Sequence, residues 1–395
     1  MKKKYYITTP IYYPSAKPHM GHAYSSISAD FIARYKRLEG YDVMFVTGTD
    51  EHGQKIQKSA DKRKLSPDIF CNEISKVFLD LTKTLNLSNT DFIRTTEIRH
   101  HKTVQKLWNI LEEKKFIYLS KYSGWYSVSD EAFYTESEII EKDNIKLCEA
   151  SGSVVEWVEE ESYFFKLSEF QNLLIKHYED NPEFIQPSSR RNEVMSFVKG
   201  GLNDLSISRN SFKWGISVPN SKDHIVYVWL DALTNYLTAT NYFDENSSWP
   251  ADVHIIGKDI LRFHAVYWPA FLLAAEIPLP KKIFGHGWIL SGDEKMSKSK
   301  GNILDPIEVV NEFGLDEIRY YLMKEVMYGL DGNINIDNLK NCINSDLANN
   351  IGNLSQRIFV LINKYFSCKV PDPKPFLNSD QKIMECRVEG LRKSM

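Results

Sequence analysis

Paired cysteines are absent from this 395-residue sequence. Its five cysteines are scattered, and no two of them form a CxxC pair; they are Cys71, Cys148, Cys342, Cys368 and Cys386. Disulfide frameworks and thiolate zinc sites both rely on regularly spaced cysteine pairs. The sequence therefore favours reduced thiols in a cytosolic setting.

Long apolar runs and a strong net charge are missing as well. The sequence has no run of about 18 uncharged apolar residues, and no apolar signal core follows the lysines at positions 2–4. We therefore expect a cytoplasmic protein with no secretory signal and no membrane span. The formal net charge is only −3, so no global field draws the chain to nucleic acid, although local basic patches can still bind it.

Strand and helix signals alternate in the first part of the chain. Residues 5–13 and 42–47 are rich in β-branched and aromatic residues, and apolar residues at helical spacing lie between them. This pattern predicts a βαβ unit. A long helix is predicted from Ser66-Pro67 to about Leu85, followed by a strand over residues 91–94.

The pattern changes between residues 116 and 222, where short aromatic runs and acidic stretches replace it. Strand signals then return at residues 225–229, 253–256 and 283–289, and only helical patterns follow Gly301. We therefore predict an α/β protein whose nucleotide-binding sheet is interrupted by an inserted domain.

Two histidines flank a glycine at the first strand-to-helix junction, His19-Met20-Gly21-His22. A glycine at a helix start lets a ligand approach the backbone, where free N–H groups and the helix dipole favour an anion. The imidazoles could donate hydrogen bonds to a phosphate as its charge develops. Two surface histidines at a helix cap would give the same four-residue motif.

A second motif, DEKMSKSKGN, occupies residues 293–302. Its lysines, Lys295, Lys298 and Lys300, alternate with serine and glycine just after a predicted strand. Flexible lysines on such a loop suit a polyphosphate whose charge grows and then departs. Read alone, the stretch is equally typical of a solvated loop.

Together the two motifs resemble the paired HxGH and KMSKS signature of class I aminoacyl-tRNA synthetases. Longer stretches resemble the methionyl-tRNA synthetase family and run from residue 7 to residue 357; they include GTDEHGQKI, VYVWLDALTNY, IIGKDILRFHAVYWPAFL and LANNIGNLSQR. The resemblance implies a Rossmann-like, doubly wound parallel sheet with an inserted connective domain and a C-terminal α-helical domain.

The resemblance implies methionine–tRNA ligation for translation initiation and elongation. The carboxylate of L-methionine would attack the α-phosphorus of ATP, bound with Mg²⁺, to give methionyl-adenylate and pyrophosphate. The 3′-terminal adenosine of initiator or elongator tRNA(Met) would then take the methionyl group. Neither step needs a protein nucleophile, so catalysis would rest on positioning and charge stabilisation. We expect this chain to act as a monomer without a membrane partner.

The resemblance also assigns roles to side chains. The implied catalytic residues are His19, His22, Arg209, Lys295 and Lys298. The implied ATP-binding residues are His19, Gly21, His22, Gly257, Lys258, Asp259, Lys295, Ser297 and Lys298. The implied methionine-binding residues are Ile11, Tyr13, Asp50, Trp229, Ala232, Leu233, Tyr236, Ile260 and His264. An aromatic slot suits the polarizable thioether of methionine, although aromatic residues near strand ends also belong to ordinary cores.

One family feature is missing. Many members hold zinc in the inserted domain through two CxxC pairs, but Ser127 and Asp130 stand where the first pair would be, and Ser151 replaces the partner of Cys148. A single thiol cannot build a four-ligand zinc site. We therefore expect no structural zinc and an ordinary buried Cys148.

The resemblance divides the chain into four parts. These are a split catalytic domain (1–115 and 223–290), the inserted connective domain without zinc (116–222), the KMSKS loop with a stem-contact region (291–343), and the start of a helical anticodon-binding domain (344–395). In the last part Asn353 and Arg357 share a helix face, as two side chains that read the anticodon would, but a plain polar stripe has the same spacing. The family usually extends further, which predicts a truncated anticodon domain.

Three alternatives remain open. The isoleucyl, valyl and leucyl enzymes share both signatures but carry a larger editing insertion than residues 116–222 can hold. A small adenylyltransferase can share HxGH but is much shorter and needs no KMSKS loop. A non-catalytic tRNA-binding derivative would have no use for an intact HxGH motif or for Lys295 and Lys298.

Overall fold

The computed structural model describes residues 2–142, 144–244, 247–291, 294–295, 304–370 and 390. The chain divides into two compact units, Met1–Asn335 and Ile336–Met395.

The first unit contains all the described strands and most of the described helices. Its strands are β1 (Lys4–Tyr12), β2 (Asp42–Thr49), β3 (Asp91–Arg94), β4 (Ile117–Ser127), β5 (Ala132–Tyr134), β6 (Ile139–Lys142), β7 (Ile145–Cys148), β8 (Glu156–Phe165), β9 (Ile185–Gln186), β10 (Leu205–Ser206), β11 (Ser208–Arg209), β12 (Ile225–Val226), β13 (Val253–Gly257), β14 (Ile283–His286), β15 (Ile289–Ser291), β16 (Glu294–Lys295) and β17 (Gly332–Ile334). Its helices are α1 (Met20–Leu38), α2 (Gln54–Lys62), α3 (Pro67–Thr84), α4 (Ile98–Glu113), α5 (Gln171–Asp180), α6 (Ser188–Lys199), α7 (Val228–Ala239), α8 (Trp268–Ala274), α9 (Pro306–Phe313) and α10 (Leu315–Glu325).

The central sheet has six strands in the order β3-β2-β1-β13-β14-β9, and all neighbours run parallel. The chain winds outward from β1 through β2 to β3, and the later strands β13 and β14 extend the sheet on the other side of β1. The carboxyl ends of β1 and β13 therefore flank the switch point, which is where ligands bind in open α/β sheets. The predicted Rossmann-like, doubly wound fold is confirmed.

Burial explains why the sheet reads as near-continuous apolar runs. Ile7 of β1, Phe45 of β2 and Ile255 of β13 are at most 1% exposed, and Ala29 and Ala33 of α1 pack into the same cluster. Strands covered by helices on both faces have no solvent-facing side, so the alternation of apolar and polar residues disappears. Small alanines on α1 let that helix approach the sheet closely.

The inserted segment adds a separate antiparallel sheet in the order β10-β8-β4-β5, and a β6-β7 hairpin. Strands β4 and β8 pair along ten residues, from Ile117 opposite Phe165 to Tyr126 opposite Glu156. The turn that joins β4 to β5 lies at residues 128–131, and several of its side chains reach the cavity described below.

Four elements differ from the sequence predictions. The predicted strand 283–289 is divided between β14 and β15, which belong to different sheets. Only Ile225–Val226 of the predicted strand 225–229 is extended, and helix α7 begins at Val228. Almost every residue of α7 is buried, so the helix lacks the polar face that would have identified it. Strand β9 lies within the predicted insertion 116–222 but forms the edge of the central sheet, and β17 follows Gly301. Strands of two or three residues leave no readable periodicity.

The second unit is helical over its described residues. Helix α11 (Ile336–Cys342) continues through a π-helical segment (Ile343–Gly352) into α12 (Asn353–Phe366). None of the helices among the described residues of either unit has the length and apolar content that crossing a bilayer requires.

Candidate active site

The first strand-to-helix junction carries a reciprocal cap. His19 is the N-cap of α1, and its Nδ1 accepts a hydrogen bond from the Gly21 amide at 3.1 Å; the His22 Nδ1 accepts one from the His19 amide at 3.0 Å. Because each Nδ1 is an acceptor, a neutral ring carries its proton on Nε2. Burial, with a smaller contribution from His19, holds the pKa of His22 well below its usual range. A Cβ on Gly21 would lie 2.9 Å from the His19 ring, so a larger residue there would displace the ring from its cap.

One large cavity, about 770 Å³ in volume, opens at the switch point of the sheet. It brings together most of the predicted site: Ile11, Tyr13, His19, Gly21, His22, Asp50, Trp229, Ala232, Leu233, Tyr236, Gly257, Lys258, Asp259, Ile260 and His264. These residues come from five separate stretches of sequence. Their convergence on one cavity is what a two-substrate site needs.

At one end the cavity wall is aromatic. Trp229 stacks on Phe263 with ring centroids 3.7 Å apart and planes 7° apart. The His264 Nδ1 lies 3.0 Å from the Ile260 carbonyl, so it must be the proton donor, and the Tyr236 hydroxyl then donates to His264 Nε2 at 2.8 Å. Burial lowers the pKa of His264 to about 4, despite the Ile260 carbonyl, so the ring is neutral at pH 7.

Asp50 supplies the acidic group of this end. It follows β2 and is only 7% exposed, and its Oδ1 has no hydrogen-bond partner among the described residues. Burial, reinforced by the nearby carboxylates of Asp231, Glu131 and Glu51, raises its pKa well above the usual range. A ligand ammonium group would supply both the missing hydrogen bond and the missing positive charge.

A buried network holds the segment that carries Asp50. The His52 Nδ1 donates to Asp231 Oδ2 at 2.6 Å, and the His100 Nε2 donates to Asp231 Oδ1 at 2.7 Å. Burial alone would raise the pKa of Asp231, but attraction to His52 and the hydrogen bonds from both rings outweigh it and lower the pKa to about 2. Asp231 lies on α7, so its hydrogen bond with His52 joins the loop after β2 to the cavity wall that α7 forms.

The other end of the cavity is polar and more open. Asp259 follows Gly257 at the end of β13, and the Trp288 Nε1 lies 3.4 Å from its Oδ1. The Lys258 Nζ lies 4.0 Å from the centre of the Trp288 ring and pairs with Asp331 Oδ2 at 2.7 Å. The indole face and the Asp259 carboxylate offer a stacking surface and an acceptor for hydroxyl groups.

Arg209 lies apart from the cavity, whose described lining does not include it. Its side chain is 3% exposed and packs over the rings of Phe133 and Tyr227, at 4.2 and 4.5 Å from the guanidinium carbon. Phe133 and Tyr227 themselves line the cavity. Arg209 therefore sits directly behind that wall.

The predicted phosphate loop follows a short hairpin, β15–β16, in which Leu290 pairs with Lys295. Lys295 is placed by its backbone at the end of β16. The Lys295 side chain and the whole of Ser297 and Lys298 lie outside the described residues. In the second unit, Asn353 and Arg357 are exposed on α12.

Several cavity residues were missed by the sequence predictions, among them Glu131, Arg190, Phe263, His286 and Trp288. Phe263 lies inside the stretch IIGKDILRFHAVYWPAFL, next to the predicted His264, so its position was a usable signal. Glu131 had no such signal, because it lies in the inserted segment, far in sequence from the residues of the cavity wall that it contacts, Tyr13, Lys55 and Tyr227.

The positions where the family would place zinc ligands form a hydrogen-bonded cluster. Asp130 accepts hydrogen bonds from Tyr134 and Ser151 on Oδ2 and from Ser153 on Oδ1, at 2.8, 2.6 and 2.8 Å. Cys148 is fully buried, as predicted. Within the described part of the chain, no group of three or more His, Cys, Asp or Glu side chains is arranged to hold a metal ion.

Comparison with known proteins places this site in a family. The family described as tRNA synthetases class I (M) matches residues 5–359. A methionine–tRNA ligase of Rickettsia conorii is 55% identical over 375 residues, which cover 94% of this chain and 73% of that protein. A methionine–tRNA ligase of Brucella suis biovar 1 is 51% identical over 402 residues, covering 100% of this chain and 78% of that protein.

A solved structure agrees closely with this fold. The Mycobacterium tuberculosis methionyl-tRNA synthetase in complex with methionyl-adenylate superposes with a TM-score of 0.95 at 48% identity, covering 99% of this chain and 79% of that chain. The family match spans the central sheet, the inserted segment and most of the described part of the second unit. This chain belongs to the class I methionyl-tRNA synthetase family.

Proposed function

We propose that this chain is a methionine–tRNA ligase, which activates L-methionine with ATP to methionyl-adenylate and pyrophosphate and then transfers the methionyl group to the 3′-terminal adenosine of tRNA(Met). The observation that carries the proposal is a cavity with a buried carboxylate at its aromatic end, whose Oδ1 has no hydrogen-bond partner among the described residues, and with the helix N-terminus of α1 beside its centre. Relatives at 51–55% identity carry this activity in their names.

Methionine would lie at the aromatic end, with its ammonium group on Asp50 and its side chain against Trp229 and Tyr236. Thioether sulfur makes favourable contacts with aromatic rings. His264 is neutral and already donates through Nδ1, so it adds no charge next to the apolar side chain. This arrangement favours an uncharged, polarizable side chain over lysine or glutamate, because a buried charge without a partner is costly.

ATP would occupy the polar end, with its ribose hydroxyls on Asp259 and its base near Trp288. The Nε2–H groups of His19 and His22 and the N-terminal amides of α1 would face the phosphates, where negative charge develops as the carboxylate attacks the α-phosphorus. Mg²⁺ would arrive with the nucleotide. Lys295, Ser297 and Lys298 would accompany the departing pyrophosphate.

Arg209 has a different role in this proposal from the direct phosphate contact that the resemblance implies. Its guanidinium lies behind Phe133 and Tyr227, and its NH1 donates to Ser206 Oγ at 3.0 Å. From there it would stabilise the cavity wall, with its charge paired to the buried Glu160, whose Oε1 lies 3.9 Å from the Arg209 Nε.

The remaining partners follow from the family. tRNA(Met), initiator and elongator, would contact Asn353 and Arg357 through its anticodon. The inserted segment would need no zinc, because Ser127, Asp130 and Ser151 offer no thiolates beside the single Cys148. The described cysteines are all free thiols, which supports a cytoplasmic setting. We propose that the chain acts as a monomer.

The test is ATP–pyrophosphate exchange by the 395-residue chain with each of the twenty amino acids, followed by charging of tRNA(Met) transcripts. Exchange that depends on methionine alone supports the proposal. Exchange with another amino acid would refute the methionine assignment while leaving the adenylation site intact. No exchange with any amino acid would refute the catalytic function and leave a tRNA-binding role to be measured directly.

A further inference from the structure

Glu131 is the inserted segment's most unusual contribution to the cavity. It ends the turn between β4 and β5, has a φ of +49°, and is only 5% exposed. A non-glycine residue in the left-handed region is uncommon and costs about 1 kcal/mol or more, so surrounding contacts must hold it there. The structure shows what those contacts are.

The Glu131 carboxylate reaches two elements of the catalytic domain. Its Oε1 accepts a hydrogen bond from the Tyr13 hydroxyl at 3.1 Å and one from the Lys55 amide at 2.8 Å. Lys55 is the second residue of α2, whose N-cap Gly53 has no side chain to satisfy that amide. Glu131 therefore caps α2 from a distant part of the chain, where the helix dipole favours a negative charge.

Gly53 makes this approach possible. Its φ is +104°, and a Cβ there would lie 2.6 Å from the Tyr13 hydroxyl and 2.9 Å from Glu131 Oε1. The single hydroxyl proton of Tyr13 is shared between Glu131 Oε1 and the His52 carbonyl, which lies 2.8 Å from the hydroxyl oxygen. The loop that carries Asp50, the start of α2 and the Tyr13 side chain are thus gathered around one carboxylate.

Two further hydrogen bonds fix Glu131 itself. The Tyr126 hydroxyl donates to Oε2, and the Tyr227 hydroxyl donates to the Glu131 main-chain carbonyl at 2.9 Å. Tyr227 is the N-cap of α7, which carries Trp229, Ala232 and Tyr236. Glu131 therefore contacts three of the four segments that wall the amino-acid end of the cavity, residues 11–13, 50–55 and 227–236; the fourth is residues 260–264.

We propose that Glu131 is a positioning residue for methionine, through which the inserted segment sets the width and alignment of the amino-acid pocket. This inference rests on the proposed function and concerns the same site. Glu131 acts through Tyr13, the Asp50 loop and α7, and not by a contact of its own with the reacting atoms.

The nucleotide end does not depend on these contacts. His19 and His22 hold each other through their own cap, and Asp259 and Lys258 are held by Trp288 and Asp331. Loss of the Glu131 carboxylate should therefore weaken methionine binding and leave ATP binding almost unchanged. A residue with a merely structural role would not separate the two substrates in this way.

The experiment compares Glu131→Gln and Glu131→Ala with wild type in ATP–pyrophosphate exchange, measuring KM for methionine and for ATP. We expect the methionine KM to rise about tenfold for Gln, which keeps an acceptor oxygen but loses the charge, and further for Ala, which loses every side-chain hydrogen bond. The ATP KM should change less than about twofold. Glu149→Gln, an exposed glutamate of the same inserted segment, is the matched control and should behave as wild type.

A second variant keeps the test decisive if Glu131→Ala folds poorly. Tyr13→Phe removes the hydroxyl that meets Glu131, so its effect and that of Glu131→Gln should be less than multiplicative in the double variant. Methionine KM values within twofold of wild type in both single variants would overturn the proposal, as would a parallel rise in both KM values or fully multiplicative effects. A wild-type chain inactive with methionine would instead overturn the proposed function.

Discussion

The two ends of the cavity are held in place by different kinds of interaction. At the amino-acid end, side chains far apart in sequence lock one another: Tyr236 on His264, and His52 and His100 on Asp231. At the nucleotide end, His19 is held by its near neighbours His22 and Gly21, whereas Asp259 and Lys258 contact Trp288 and Asp331, which lie 29 and 73 positions away. The first end is thus a long-range product of the fold, whereas the second combines a local helix cap with longer-range contacts.

This difference separates the part of the cavity that would select the amino acid from the part that would bind the nucleotide. The nucleotide end uses a glycine, a helix N-terminus and short polar turns, which any adenylating enzyme of this fold could use. The amino-acid end uses buried rings and a carboxylate whose positions depend on four parts of the chain. Substitutions at one end should therefore move the kinetics of one substrate only.

The largest effect is expected from Asp50→Asn. This change removes the buried carboxylate that would pair with the methionine ammonium group, and breaking a buried pair typically costs about 3–5 kcal/mol. We expect kcat/KM for methionine in pyrophosphate exchange to fall by about a thousandfold, with the ATP KM unchanged within about twofold.

Asp61→Asn, an exposed aspartate on α2, is the matched control for this substitution. A fall of similar size in kcat/KM for ATP would break the proposed separation of the two ends. An Asp50→Asn variant with near wild-type methionine kinetics would remove Asp50 from the site.

The next largest effect is expected in the pH dependence of folding stability, which tests whether His264 is neutral in the folded chain. His264 has a folded pKa of about 4 because of burial, whereas an unfolded histidine has a pKa of about 6.5. Between these values the unfolded chain binds a proton that the folded chain refuses, so folding stability falls as the pH drops from about 6.5 to 4, by roughly 3 kcal/mol for this group alone. Urea unfolding at pH 7.5, 5.5 and 4.5 measures this loss of folding stability.

Replacement of His264 by Gln removes this titration, so the variant should lose less stability on acidification than wild type. The raised pKa of Asp50 acts in the opposite sense, because protonation of that carboxyl relieves the cost of its burial. The comparison is therefore best made in the Asp50→Asn background. Equal pH slopes for the two chains would contradict the low pKa of His264.

The smallest effect is expected from Asp331→Asn at the nucleotide end. Asp331 pairs with Lys258 and accepts a hydrogen bond from the Trp288 amide at 2.8 Å, but both charged groups are partly exposed. Such a pair contributes up to about 1 kcal/mol, so we expect a three- to fivefold rise in the ATP KM and no change for methionine. An altered methionine KM would show that the two ends communicate.

The elements that could be predicted from the sequence are those whose signals lie close together along the chain. The first βαβ unit, α3 and β3 were predicted within one or two residues, because each has its own periodicity and its own start signal. The cap at His19 was readable because all its atoms lie within four residues. Helix α7 was misread because burial on every side removed its polar stripe.

The candidate site follows the same rule. The family resemblance supplied residues such as Trp229 and His264, and the structure brings them into one cavity. Resemblance did not supply Glu131, whose partner Tyr13 is 118 positions away. The pairing of Asp231 with His52 spans 179 positions and was likewise invisible. Contacts of this kind arise only when the inserted segment and α7 pack against the sheet.

The Asp130 cluster bears on whether the inserted segment depends on a supply of zinc. A small segment whose fold is held by a zinc ion forms only when the cell provides that ion. Its ligands must also be deprotonated thiolates or neutral imidazole rings. Here one carboxylate gathers the hydroxyl groups of Tyr134, Ser151 and Ser153. These hydrogen bonds come from the polypeptide itself, so we expect this corner of the inserted segment to fold without a supplied metal ion.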